Sequence, residues 1–307
     1  VRTVFLGTPE AAVPSLRALV SVSEVLAVFT QPDRPKGRSR TPQPTPVKIA
    51  AEELGFEVAQ PSGSADIASL LRGLGTIDVA VVVAYGMLIR PEALAVPRRR
   101  FVNVHFSLLP RWRGAAPVQR SIEARDARTG VTLMQLDEGL DTGPTLVTVS
   151  TALSPHETAG EVLERLAYTG ADVLGKSLGA YVQGRIVPLP QRDEDATHAA
   201  KVMSGERALD LEADGAGLVA KIHALSPNPG AHAFLDGDRF KILRARLEAP
   251  AGSNRQVGEM WQGSGGSLCL RVGDSDLELI EVQPAGKRAM AGTEWARGRQ
   301  GSLGSLT

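Results

Sequence analysis

A single cysteine, Cys269, serves all 307 residues, so no internal disulfide can form. Its place in the apolar-alternating run Ser267-Leu268-Cys269-Leu270-Arg271-Val272 predicts a buried strand residue. A reducing cytoplasm suits such a chain. No apolar run approaches the ~20 residues a bilayer span requires, and no basic-plus-apolar leader opens the sequence; a soluble cytoplasmic protein, without a membrane partner, is expected. Net charge is missing as well. Lys+Arg and Asp+Glu number 34 each, so only local clusters can speak for or against a polyanionic partner. No internal repeat is present. His156, His198, His223 and His232 lack metal-ligand spacing, so no metal is assigned. The first turn, Gly7-Thr8-Pro9, lacks the further glycines of a dinucleotide fingerprint, which disfavours a nicotinamide or flavin site.

What is present fills two domains, the prior for this length. The stretch Val1 to Glu10 gives a short apolar strand and a glycine turn, then a helical pattern runs through Leu16, Leu19 and Val20, the way a βα unit begins. Val25 to Phe29, Phe56 to Val58, Asp78 to Ala84, Phe101 to His105 and Val131 to Leu136 continue as strands. Helical stretches at Pro46 to Leu54, Ala65 to Leu74 and Ala115 to Ala124 alternate with them, and Ala159 to Leu178 closes the unit. The continuous apolar strands predict a mostly parallel sheet covered on both faces. From Val187 the chain turns to prolines and charge, Pro188, Pro190 and then Gln191 to Asp195, which reads as an exposed linker. Beyond a helix at Ala213 to Leu225, short strands recur between turns from Ala231 to Val282, as in a small antiparallel barrel of which the OB type is one candidate. The Gly- and Ser-rich end, 298–307, is expected to be mobile.

Within Phe101 to His105, side chains two apart share a face, so Asn103 and His105 project together near a strand end. Asp141, in Asp137-Glu138-Gly139-Leu140-Asp141-Thr142-Gly143, brings a carboxylate to another strand end. Taken alone, Asp141 is a turn residue and His105 a core histidine. Taken together, they supply an amide donor, a base and an orienting acid, a catalytic layout. Asn103 can donate to a developing oxyanion without titrating, His105 can donate or shuttle a proton near neutrality, and Asp141 can hold the imidazole tautomer and accept a proton. A second cluster is basic: Arg34, Lys36, Arg38, Arg40 and Lys48 face only Asp33 between residues 31 and 48, with prolines interspersed. Such a loop predicts salt-sensitive binding of a phosphate-rich partner.

The ordered set Gly7-Thr8-Pro9, Phe29 to Pro35, Val83-Ala84-Tyr85-Gly86, Asn103-Val104-His105, Ser107 to Pro110, Arg113 to Pro117, Leu140 to Gly143 and Gln283 to Lys287 resembles the methionyl-tRNA formyltransferase family over nearly the whole chain. The resemblance implies a Rossmann-like α/β formyltransferase domain over 1–186, a linker over 187–207 and a C-terminal OB-like tRNA-binding barrel over 208–307. It also implies 10-formyltetrahydrofolate as formyl donor, methionyl-initiator tRNA as acceptor, and a catalytic centre of Asn103, His105 and Asp141. Folate contacts would come from Tyr85, Gly86, Met87, Leu88 and Ile89 and from Ser107, Leu108, Leu109 and Pro110. Transfer RNA would meet the basic loop, with Arg38 at the acceptor end, and a track of Arg239, Lys241, Arg244, Arg246 and Lys287. A monomer is expected. Two rivals stay open on sequence: formylation of an amino sugar nucleotide or a purine-pathway amine by the same fold, and a noncatalytic RNA-binding protein that uses the barrel alone.

Overall fold

The computed structural model describes residues 1–35, 41–248, 254–299 and 302–307. These residues fall into two compact units. The first comprises Val1–Pro117, Thr129–Thr151 and Leu163–Ala199; the second comprises Val118–Arg128, Ala152–Val162 and Ala200–Thr307. No helix among the described residues is long and apolar enough to cross a membrane.

The first unit is built on a seven-stranded sheet in the order Thr145–Ala152, Arg128–Gln135, Phe101–His105, Val79–Val83, Arg2–Gly7, Glu24–Phe29, Val58–Ala59. The four adjacent pairings from Phe101–His105 through to Val58–Ala59 are parallel, and Arg128–Gln135 joins Phe101–His105 antiparallel. Val79 to Val83 are buried without exception, which is why that run shows no alternation: helices cover both faces. Val4, Leu6, Ala80, Val82 and Phe101 pack with Ile67 and Leu71 of the helix Ser64–Gly73. On the opposite face, the helix Ala159–Val182 approaches closely at Gly170, where an added Cβ would meet Val104 Cγ1 at 2.6 Å. The edge strand Thr145–Ala152 carries no apolar run, and its half-exposed alternation left it out of the sequence reading. Chain order reverses between Arg2–Gly7 and Val79–Val83, and ligands of such sheets bind beyond the carboxyl ends of the strands near that reversal.

The second unit is an antiparallel sheet in the order Ala231–Leu235, Asp238–Glu248, Asp276–Pro284, Leu268–Arg271, Met260–Gln262, with Met290–Ala291 added beside Asp276–Pro284. Phe240, Ile242, Leu268, Leu270 and Val282 fill its interior with Leu218 and Ile222 of the helix Gly215–Leu225. Asp214 caps that helix, accepting from the Gly217 N–H at 2.8 Å. Cys269 lies in a strand and is buried, and burial pushes its thiol pKa up. The chain end corrects the expectation of mobility for its last residues. Thr307 exchanges backbone hydrogen bonds with Phe234, while the Leu306 N–H reaches Gly258 and Gly304 accepts from Met260. Residues 304–307 therefore bridge the two outer strands of the sheet and close it into an OB-like barrel, with Leu303 and Leu306 buried as anchors.

His223 lies buried in the second unit between the Pro155 carbonyl, 3.1 Å from Nδ1, and the Ala245 N–H, 3.4 Å from Nε2. Burial lowers its pKa below the usual 6.5. An unfolded chain takes up this proton near 6.5, whereas the folded one resists it. The neutral ring's contribution is therefore whole above that pH and is lost as pH falls through the folded pKa. Thermal unfolding followed between about pH 7.5 and 5 should show a falling midpoint whose slope flattens in His223→Gln.

Candidate active site

Val82 pairs with Asn103 in parallel register, and the strand Phe101–His105 delivers Asn103 and His105 to the carboxyl end of the sheet. His105 is 5% exposed. Its Nε2 lies 2.9 Å from the Trp112 carbonyl oxygen. A carbonyl can only accept, so Nε2 carries a proton, while Nδ1 faces Asp141 Oδ2 at 3.7 Å. The Trp112 carbonyl and the Asp141 carboxylate thus face opposite nitrogens of the ring. Trp112 can turn its carbonyl this way because its backbone is left-handed, at φ 66°.

Asp141 is itself left-handed, at φ 54°, as its turn-forming sequence leads one to expect. Its Oδ2 accepts the Gly114 N–H at 2.9 Å and its Oδ1 faces Asn103 Nδ2 at 3.4 Å. One amide proton of Asn103 thus leans on the carboxylate and the other remains available. Asn103, His105 and Asp141 meet as expected, on a cavity of about 540 Å³ that all three line.

Tyr85, Gly86, Met87, Leu88 and Ile89 form one wall of that cavity. The turn is held from two sides: Thr8 Oγ1 and Gln31 Nε2 both donate to the Tyr85 carbonyl, at 2.8 and 3.1 Å. The early Gly7-Thr8-Pro9 and Thr30-Gln31 segments therefore shape the cavity wall without lining it. Burial pushes the Tyr85 phenol up to about 12. The expected folate segment behaves differently. Phe106 lines the cavity, but Ser107, Leu108, Leu109 and Pro110 are not among its lining residues. Ser107 is fully buried and donates to the Arg111 carbonyl, while Thr132 Oγ1 donates to the Ser107 carbonyl and accepts from the Leu109 N–H. Across the cavity, Leu136, Asp137, Gly139 and Leu140 supply lining to which sequence alone assigns no contact. Leu88 and Leu140 are 72% and 67% exposed, large apolar side chains facing solvent at a cavity wall.

Of the basic loop, Arg34 is exposed on a short antiparallel ladder of Arg34–Pro35 with Pro42–Gln43. Lys36, Arg38 and Arg40 lie outside the described residues. Lys48 is committed at the loop's base: Nζ meets Asp33 Oδ2 at 2.7 Å and Gln60 Oε1 at 3.0 Å. The Lys48 hydrogen bond, then that from Gln60, holds the Asp33 carboxyl below its ordinary range.

On the barrel, a register shift between Ile242 and Ala245 changes the strand's phase, as a bulge does. Arg239 and Lys241 before it, and Arg244 and Arg246 after it, therefore alternate with buried Phe240, Ile242 and Ala245. Arg244 is engaged by Glu161, and Arg246 by Glu248 and Glu278. Arg239 and Lys287 are exposed and Lys241 is half-buried. Among the described residues, no group of three or more His, Cys, Asp or Glu side chains could hold a metal ion.

Comparison with known proteins follows the same division. The Formyl transferase family model matches residues 1–178, and the model described as Formyl transferase, C-terminal domain, matches residues 201–300. The methionyl-tRNA formyltransferase of Halorhodospira halophila is 46% identical over 301 residues, covering 97% of this chain and 96% of its own. That of Cutibacterium acnes is 45% identical over 310 residues, with 97% and 96% covered. Among solved structures, WlaRD, a sugar 3N-formyl transferase crystallised with dTDP and 5-N-formyl-THF, superposes with a TM-score of 0.67 at 15% identity, covering 94% of this chain and 99% of its own. HypX from Aquifex aeolicus in complex with tetrahydrofolic acid gives 0.65 at 15% identity, with 96% and 46% covered; these two likenesses speak to the fold. On the full-length identities and both matched domains, the chain belongs to the formyl transferase family, among the methionyl-tRNA formyltransferases.

Proposed function

We propose that the chain transfers the formyl group of 10-formyltetrahydrofolate to the α-amino group of methionine esterified to initiator tRNA. The convergence of Asn103, His105 and Asp141 on one cavity carries the reading. A cavity of about 540 Å³ falls in the range that holds a drug-sized ligand. Its chemistry fits a folate head: apolar Val82, Ile89, Leu94 and Leu136 suit a flat ring system, and a bound ring would cover exposed Leu88 and Leu140. The tetrahydrofolate supplies the activated formyl group; the chain's own residues do the rest.

The acceptor amine attacks as the neutral base, forming the new N–C bond while the carbonyl electron pair moves onto oxygen. The free Asn103 amide proton meets that oxyanion. The amine's proton passes to His105 Nδ1, the ring nitrogen turned away from the Trp112 carbonyl, and Asp141 balances the imidazolium. When the carbonyl re-forms, the bond to the folate nitrogen breaks with its electron pair on nitrogen. Nδ1 returns the proton there, so the ring ends as it began. Arg34, Arg239, Lys241 and Lys287, with the basic residues 36, 38 and 40, are the cations this reading gives to the tRNA backbone. Lys48, Arg244 and Arg246 have carboxylate partners and serve it less.

Purified protein given 10-formyltetrahydrofolate and methionyl-initiator tRNA should yield formylmethionyl-tRNA, and the apparent tRNA affinity should fall steeply with salt. Product on an amino sugar nucleotide supplied in parallel, with none on tRNA, would move the chain to the rival enzyme of the same fold.

A further inference from the structure

Both groups that face the His105 ring stand on left-handed backbone: Trp112, whose carbonyl takes the Nε2 proton, at φ 66°, and Asp141, whose carboxylate faces Nδ1, at φ 54°. Non-glycine residues keep such conformations only where their surroundings over-determine them. The restraint on both comes from one stretch, 191–199, which sequence alone reads as linker. Gln191 Nε2 donates to the Asp141 carbonyl at 2.9 Å and to the Gly143 carbonyl at 2.7 Å. Its Oε1 accepts from Arg113 Nε at 2.9 Å, and Arg113, 4% exposed, pairs onward with Asp193 at 2.9 Å. Six residues on, Thr197 Oγ1 accepts the Trp112 N–H and the Thr197 carbonyl accepts the Arg113 N–H, each at 2.9 Å. His198–Ala199 then pairs in parallel with Arg113–Gly114.

We propose that Gln191 and Thr197 are positioning residues for proton transfer, Gln191 fixing the Asp141 carboxylate and Thr197 fixing the tautomer of His105 through Trp112. The proposal rests on the formyl-transfer reading of the Asn103, His105 and Asp141 site. Neither side chain is among those lining the cavity, so their removal acts on the turnover step and leaves substrate binding alone. With Gln191 lost, the Asp141 turn relaxes and the carboxylate drifts from Nδ1. With the Thr197 hydroxyl lost, the Trp112 carbonyl drifts from Nε2 and the ring gains access to its other tautomer.

Gln191→Met and Thr197→Val keep size and lose the hydrogen bonds; Thr197→Ser keeps the acceptor. Each is assayed for formyl transfer to methionyl-initiator tRNA across pH and by thermal unfolding. Each is also observed by nitrogen NMR with labelled histidine, in the absence of substrates. Gln191→Met and Thr197→Val are expected to lower kcat by roughly 10- to 100-fold, as ~1 Å misplacements do, with both KM values and the unfolding midpoint held. Thr197→Ser should restore kcat, and Thr197→Val should shift His105 from a purely Nε2–H spectrum toward a mixture. Wild-type kcat in both non-bonding variants overturns the proposal, as does a loss of kcat matched by an equal loss of folded protein. If the unaltered protein transfers no formyl group, the functional reading fails. The spectra then decide the positioning alone: an unchanged His105 tautomer in Thr197→Val overturns it, and a mixed one upholds it.

Discussion

His105→Ala is expected to lower kcat for formyl transfer by about 10²- to 10⁴-fold, the range that removal of a positioned acid–base group spans. KM for folate and tRNA should move little, since the ring contributes one edge to a cavity that apolar walls already shape. The double role assigned to Nδ1, taking the amine's proton and returning it to the folate nitrogen, predicts more than a slow enzyme. The pH dependence of kcat that belongs to the imidazole should vanish with it. Asn103→Ala should cost ~10²- to 10³-fold, the price of one oxyanion donor, and should leave that pH dependence in place. Asp141→Asn removes the charge facing Nδ1 while a side-chain oxygen can still accept the Gly114 N–H. It should approach His105→Ala in rate, and the double variant should fall little further, because residues that act as a unit are not additive. Stopped-flow or quench measurements under single-turnover conditions separate this loss from slow product release. A His105→Ala protein within about threefold of full kcat would remove the ring from the proton path.

Gly114→Ala is the second large effect, and it arises from backbone. Gly114 sits at φ 125°, where side chains are rarely tolerated, and an added Cβ would fall 2.6 Å from the Ala199 carbonyl oxygen. That oxygen accepts from the Ala115 and Ala116 N–H groups, so the methyl forces apart the pairing of Arg113–Gly114 with His198–Ala199. The Gly114 N–H also donates to Asp141 Oδ2. One methyl group thus strains the backbone and loosens the acid. The expected result is a fall in stability on the order of 1–3 kcal/mol, the scale of a residue held in a disfavoured backbone region, together with a kcat loss close to that of Asp141→Asn. Thermal unfolding and kcat should both be read. A stable protein with full activity would mean that the strand pairing yields without moving Asp141.

Local signals carried much of this architecture. Phe101 to His105 matches its expected strand because period-two alternation and an N-x-H triplet are written in consecutive residues. Val79 to Val83 was as plain, since five buried β-branched and small residues in a row leave few alternatives. What sequence did not disclose is contact between distant residues. Nothing around Gln191 marks it as the holder of Asp141, fifty residues away, because prolines and charges read alike in a free linker and a docked one. Likewise a carbonyl has no side-chain signature, so the Trp112 contribution to His105 could not be read from residue identity. The carboxylates of Glu161 and Glu278 that pair with Arg244 and Arg246 are also distant in sequence and invisible in the alternating basic run. Ser- and Gly-rich composition hid the role of the last residues, where two buried leucines outweigh the loop-like letters around them.

Barrel closure by residues 304–307 has a temporal side. During synthesis the strand Ala231–Leu235 emerges roughly seventy residues before its closing neighbour, an interval on the order of 4–14 s at usual elongation rates. Until that neighbour arrives, Ala231–Leu235 and, once made, Met260–Gln262 offer unpaired backbone groups, the kind of edge on which nascent chains pair with one another. Ribosome stalling or release within this window would leave an open sheet with its apolar interior uncovered, so the yield of folded protein depends on the pace at which residues 304–307 are reached.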